Sequence, residues 1–299
     1  MLGSNISNLE IKYTDKHLID EWNSIVKHEP KYTDVYRGAN DIVKHFQCKE
    51  FYKRELELWN KNEIHKGLPL RSWLYYNRLK YIGKGFYDLT PDEVLRGFTI
   101  SGLVKSYSFH SPYWIKKFIE DYNVKSILDP CGGWGHRLLG CLSKGIPYHY
   151  NDIDTNTYIN ILDMYEFLRK NNLVPKDLFT ITNKDGSTDL GFDMDFVFTC
   201  PPYYNREIYS DKGIENKSYK EFLYWWKQLV INNVVNKKNC RGIAYIINNK
   251  YKEDMNNIIK ELDLILDNEF ILGNSKIISH FNKNKNIKEF ETLFVWIKR

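Results

Sequence analysis

Leu128-Asp129-Pro130-Cys131-Gly132-Gly133-Trp134-Gly135 lies between an apolar run and a helical one. Ser126-Ile127-Leu128 is short and apolar, as a buried parallel strand requires. Asp129-Pro130 ends that strand, and the glycines after it allow backbone to come close to a ligand. His136 to Leu142 reads as a helix with Leu138, Leu139 and Leu142 on one side. The loop therefore joins a strand's carboxyl end to a helix's amino end, where nucleotide-like cofactors are commonly held.

The next strand, Tyr148 to Asn151, runs into Asp152-Ile153-Asp154, about 20 residues past the glycines, where an acid can accept from ribose hydroxyls. Asp154 is preferred to Asp152, because Thr155-Asn156 after it has the look of a helix N-cap. The glycines do not fit a strict G-x-G-x-x-G, since Leu138 stands at the last glycine position. By itself this pattern also suits NAD, FAD or an ordinary strand-to-helix turn.

A second loop follows another apolar strand, Phe196-Val197-Phe198, and reads Thr199-Cys200-Pro201-Pro202-Tyr203. Its two prolines fix the backbone and remove two donors, leaving carbonyl oxygens that can accept from an exocyclic amine. Tyr203 is expected to stack on a flipped base, the alternative being a rigid turn with a packing tyrosine.

These residues resemble the class I S-adenosylmethionine-dependent amino-methyltransferases that act on DNA, of the adenine-N6 and cytosine-N4 type. The resemblance spans about residues 100 to 299, and Thr199-Cys200-Pro201-Pro202-Tyr203 is its most specific part. It implies S-adenosylmethionine as cofactor, held by Asp129, Cys131, Gly132, Gly133 and Gly135, with Asp154 at the ribose and Asp185 near the adenine. Tyr107 to Pro112, with Phe109, is similar to the segment closing over the methionine end of the cofactor. Cys200, Pro201, Pro202 and Tyr203 would form the catalytic loop, and Tyr204 to Ser210 is similar to phage and bacterial DNA methylases. The implied reaction is methyl transfer to a base amino group, adenine N6 before cytosine N4, with a cognate restriction endonuclease as a further partner. An RNA methyltransferase acting on guanine N2, or a silent nucleic-acid-binding protein of the same fold, are the alternatives.

One residue departs from the pattern. Adenine-N6 enzymes usually begin this loop with Asp or Asn and cytosine-N4 enzymes with Ser, whereas this chain has Cys200. A thiol is a weak acceptor, so the usual rule for the target base does not apply. A nucleophilic role, as in cytosine-C5 methylation, is disfavoured because the cysteine precedes the prolines rather than following one.

The organisation changes near residue 100. Residues 1–99 read as a mainly helical extension, with helices at Asp41 to Asn60 and from Pro91, where Thr90 is the N-cap. Residues 100–299 alternate strands and helices, with strands at 126–128, 148–151, 179–182, 196–199, 242–247, 276–279 and 293–297. This is an α/β, Rossmann-like pattern: a mostly parallel sheet whose last two strands form an antiparallel hairpin.

Leu70 to Phe86 mixes Arg71, Arg78, Lys80 and Lys84 with Trp73, Tyr75, Tyr76, Tyr81 and Phe86 and contains no acid. Cations for phosphates and aromatics for bases make it the expected DNA contact, and His280 to Lys288 is a weaker one. Its other reading is a helix whose aromatics pack while the Arg and Lys heads stay wet. Glu207 and Asp211 are expected to shape the catalytic loop, and Trp225-Trp226 to sit in a core helix from Tyr219 to Val235.

At 299 residues the chain can bury a sizeable core, and its net charge of +5 permits nucleic-acid binding without demanding it. Five widely spaced cysteines without C-x-x-C pairs indicate neither a disulfide framework nor a zinc site, and His110 and His136 have no ligand-spaced companions. No signal peptide or membrane-spanning run is visible, so a cytoplasmic location is expected. Nothing in the sequence reports the oligomeric state.

Overall fold

The computed structural model describes residues 11–34, 39–79, 89–104, 110–204, 213–214, 217–248, 251–272 and 291–299. The amino-terminal third is mainly helical: α1 (Asp15–Lys27), α2 (Asn40–Phe51), α3 (Lys53–Lys61), a hairpin of β1 (Ile64–His65) and β2 (Leu68–Pro69), α4 (Leu70–Leu74) and α5 (Pro91–Ile100). The helix expected at 41–60 is thus broken at Tyr52. Thr90 caps α5 as expected: its hydroxyl accepts from the Glu93 N–H, and the Glu93 carboxylate accepts from the Thr90 N–H.

From residue 112 helices and strands alternate: α6 (Pro112–Tyr122), β3 (Ile127–Asp129), α7 (His136–Leu142), β4 (Tyr148–Asn151), α8 (Thr155–Lys170), β5 (Phe179–Thr182), β6 (Phe196–Thr199) and α9 (Tyr219–Val230). Next come β7 (Gly242–Asn248), α10 (Lys252–Glu261), β8 (Leu264–Ile271) and β9 (Glu291–Lys298). The sheet has seven strands in the order β5-β4-β3-β6-β7-β9-β8. All pairings are parallel except those of β9, which is antiparallel to both β7 and β8. This is the Rossmann-like, mostly parallel sheet with an antiparallel carboxyl-terminal pair expected from the sequence. The antiparallel partner of the last strand is Leu264–Ile271. The strand expected at 276–279 lies outside the described residues.

Period-two alternation divides the strands between two cores. Ile127, Tyr148, Tyr150, Phe196, Phe198, Ala244 and Ile246 face α6, α7 and α8. Leu128, Val197, Ile243, Tyr245 and Ile247 face α9 and α10. Leu18, Trp22 and Ile25 of α1 and Ile42 and Val43 of α2 belong to the first of these cores, so those helices are built into the sheet's own packing. A third, smaller core gathers Trp59 of α3, Trp73 and Leu74 of α4, and Val94, Leu95 and Phe98 of α5. Lys116 of α6 is 1% exposed and donates to the carbonyls of Ile25 (2.5 Å), Val26 (3.3 Å) and His28 (2.9 Å), closing the carboxyl end of α1.

Candidate active site

The strand order reverses between β3 and β6, each the starting point of one half of the sheet. Crevices at such switch points, at the carboxyl ends of the strands, are where open α/β sheets bind ligands. The glycine loop leaves β3 there, and the Cys200-Pro201-Pro202-Tyr203 loop leaves β6 beside it.

Asp129 ties the two together. Its carboxylate is fully buried and accepts from Arg137 Nε (2.6 Å), Tyr148 Oη (2.5 Å), Thr199 Oγ1 (3.0 Å) and the Cys131 N–H (3.2 Å). Arg137 also donates to the Cys131 carbonyl. Two ionised groups with this many donors compensate their own desolvation. Asp129, expected as a cofactor ligand, is turned inward and links the two loops.

Gly132 packs so closely on the Tyr150 ring that a Cβ there would collide with it. Gly135 has φ +99° and is the N-cap of α7, a backbone state that favours glycine. Gly133 donates its N–H to Asp152 Oδ2 at 2.8 Å, and its carbonyl accepts from Tyr150 Oη at 2.6 Å. Asn151, fully buried at the end of β4, donates to the carbonyls of Pro130 and Lys184 and so staples the glycine loop to the loop after β5.

Of the two acids after β4, the structure places Asp152 against the glycine loop. Its oxygens accept from the N–H groups of Gly133 (2.8 Å) and Asp154 (2.9 Å), and each retains lone pairs for hydroxyl donors. Burial pushes its carboxyl up to about 6, against the lowering effect of those two N–H groups. Asp154, expected at the ribose, is the N-cap of α8, its Oδ1 accepting from the Thr157 N–H at 2.7 Å. The cap lies at Asp154 itself, one residue before the expected Thr155-Asn156.

Asp185, expected near the cofactor's adenine, lies in the loop beyond β5. Its Oδ1 accepts from Trp225 Nε1 (2.7 Å) and from the N–H and Oγ of Ser187 (both 2.9 Å). Cys131 is half-buried on the glycine loop.

The catalytic loop departs more from expectation. Tyr203 is 3% exposed, packs in the core under α9 and donates its hydroxyl to Glu291 Oε1 of β9 at 3.0 Å. A ring embedded this way is held by packing and by Glu291, and as placed here it serves as a core side chain. The reason is tertiary: Glu291 lies 88 residues away, and nothing local announces it. Tyr204 packs on Tyr219, Phe222 and Tyr251, and its carbonyl accepts from Tyr251 Oη at 2.7 Å. Pro201 is buried and Pro202 half-buried. Burial pushes the Cys200 thiol up to about 12, so it is protonated at neutral pH.

Arg71, expected on phosphate, donates Nε to the Trp59 carbonyl at 2.9 Å and holds its guanidinium 4.9 Å over the Trp59 ring. Its head is engaged with Trp59, whereas the alternative reading of that stretch had the cationic heads in water. The Arg78 side chain, Lys80, Lys84, Phe109, Glu207, Asp211 and 280–288 lie outside the described residues. Among the described residues no cluster of His, Cys, Asp or Glu is arranged to hold a metal, and no helix is long and apolar enough to cross a membrane.

No family model matches the chain, and no curated protein matches it. Several solved structures are similar. TrmN from Thermus thermophilus is 12% identical, with a TM-score of 0.43 over 63% of this chain and 49% of its own, so this chain spans about half of TrmN's length. The hMettl16 catalytic domain, solved in complex with the MAT2A 3′UTR hairpin 6, is 14% identical, with a TM-score of 0.43 over 69% of this chain and 82% of its own. Magnesium protoporphyrin IX methyltransferase (ChlM) from Synechocystis, solved with bound SAH, is 10% identical, with a TM-score of 0.45 over 86% of this chain and 100% of its own. At such identities the likeness reaches the fold and no further.

Proposed function

We propose that this chain transfers a methyl group from S-adenosylmethionine to an exocyclic amino group of a DNA base, adenine N6 before cytosine N4. The observation that supports this most is the meeting of the two loops on Asp129: Thr199, at the threshold of the Pro-Pro loop, and Cys131, in the glycine loop, share one buried carboxylate. The residues fit the cofactor: backbone approaches closely at Gly132, and Asp152 presents acceptors for a vicinal diol beside it.

When bound, S-adenosylmethionine supplies an electrophilic methylsulfonium carbon. With it bound, the base nitrogen's lone pair would form the new N–C bond as the C–S bond breaks, and the displaced amino proton would pass to solvent. The chain's part is positioning. Carbonyl oxygens of the Cys200-Pro201-Pro202 backbone accept from the amino group, which needs no ionised thiol.

Purified protein incubated with labelled cofactor and separate DNA and RNA pools tests this, with the methylated nucleoside identified by mass spectrometry. N6-methyladenine in DNA is expected. Label in RNA alone would transfer the reading to an RNA substrate, C5-methylcytosine would replace the mechanism, and binding without transfer would make the protein catalytically silent.

A further inference from the structure

The loop that carries Asp185 is held from one side by a single element. Trp225 of α9, 8% exposed, donates its indole N–H to Asp185 Oδ1 at 2.7 Å. Asn232 donates to the Ser187 carbonyl at 2.7 Å. Asn233, 1% exposed, donates to the carbonyls of Gly186 (3.1 Å) and Thr188 (3.0 Å) and accepts from the Leu190 N–H (3.3 Å). On the opposite side Gly186 lies against the glycine loop, where a Cβ would fall 2.7 Å from the Pro130 carbonyl oxygen.

The helix geometry explains how neighbouring asparagines serve one loop. Past Val230 the helix continues as a π-helical turn, Ile231–Val235. A π-turn widens the helix locally, is uncommon, and recurs at functional sites. Here it brings Asn232 and Asn233 onto the same strip of backbone.

The chemistry of Asp185 follows from that grip. Oδ1 takes all three donors from Trp225 and Ser187, and none falls on Oδ2 among the described residues. A side chain with one oxygen tied down presents the other in a fixed direction, as a ready acceptor for an amino group. We propose that Trp225, Asn232 and Asn233 are a positioning clamp that fixes Asp185 Oδ2 as the acceptor for the 6-amino group of the cofactor's adenine, so that α9 sets nucleobase selectivity. This rests on the cofactor reading above.

The test compares two ligands differing at one group: S-adenosylhomocysteine and its inosine counterpart, with a 6-oxo group in place of the 6-amino. Trp225→Phe keeps an aromatic ring and deletes the N–H. It is expected to weaken the adenosyl ligand roughly ten-fold by calorimetry, as for a lost charge-assisted bond. The inosyl ligand, which places an acceptor rather than a donor at the 6 position and keeps its only ring donor at N1–H, should bind wild type and variant alike. Asn232→Ala should show the same ligand-dependent loss at smaller size, and it stands in if Trp225→Phe fails to fold by circular dichroism. In turnover, KM for cofactor should rise with kcat at saturation unchanged. Equal losses for both ligands would overturn the clamp while leaving the cofactor assignment intact. A wild-type protein that binds neither ligand would overturn both.

Discussion

Asp152 carries a pH dependence that can be worked out in sign. Its carboxyl is pushed up from 3.8 to about 6, chiefly by burial. Protonation removes acceptors that a diol needs, so cofactor affinity is expected to fall as pH drops through about 6. Stability runs the other way. With the folded value above 3.8, this group favours the folded state at low pH, and that contribution is lost as pH rises through about 6. Calorimetry between pH 5 and 8 on Asp152→Asn should give weaker and pH-flat binding; a flat wild-type profile would remove Asp152 from the ribose. Asp154→Ala should leave affinity unchanged and cost about 1 kcal/mol through the lost cap, read as a shift in the urea midpoint.

Tyr203 and Cys200 are expected to separate stability from chemistry. Tyr203→Ala empties a core position and should cost about 3–5 kcal/mol, whereas Tyr203→Phe loses the hydroxyl's bonds to Glu291 and Cys200, about 1.5–3 kcal/mol. An unfolding midpoint untouched by Tyr203→Ala would reinstate an open stacking ring. Cys200→Ser should keep measurable methylation, because a thiol pushed up to about 12 supplies almost no thiolate at neutral pH. Covalent complexes trapped on fluorinated cytosine would defeat that expectation.

Among the elements, β4, β5 and β6 and helix α7 have the boundaries expected from the sequence. β4 and β6 are buried on both faces, so they show as bounded apolar or aromatic runs. β8 was illegible for the opposite reason. Leu264 to Ile271 contains Asp267-Asn268-Glu269, is exposed along most of its length and has a register shift between Leu266 and Asn268. An edge strand of this kind has no period to read. The site was legible where backbone chemistry decides it, at Gly132, Gly135 and Pro201-Pro202. It was illegible where partners come from afar, as with Trp225 on Asp185 or Glu291 on Tyr203. Lys116 belongs with these, since no local pattern marks a lysine that closes another helix. Lys116→Met should strand the carbonyls of Ile25 and His28 and lower stability by about 1–3 kcal/mol, with an unchanged denaturant slope. A midpoint equal to wild type would show that water replaces the ammonium freely.

At the scale of the whole molecule, the sequence change near residue 100 does not coincide with a break in packing. α1 and α2 bury Leu18, Trp22, Ile25, Ile42 and Val43 against the sheet's helices. Removing residues 1–51 should therefore strip several core side chains, each worth about 2–5 kcal/mol, from a fold whose net stability is of that order. The truncated chain is expected to bind a hydrophobic dye and to melt without a cooperative transition. A sharp transition near the wild-type temperature would show that α1 and α2 are dispensable.

β9 is threaded between β7 and β8, although it follows both in the chain. During synthesis, a nascent chain that has emerged as far as residue 272 already holds β7 and β8, but each lacks the strand that will join them. β7 then presents one unpaired edge and β8 two, with Ile265, Leu266 and Ile271 exposed on the latter even after completion. Open edges of this kind are templates for pairing with other chains. The ribosome therefore releases this half of the sheet in its most adhesive state just before residues 291–298 close it. A slow stretch of translation before that point would lengthen the interval in which neighbouring nascent chains can stick together.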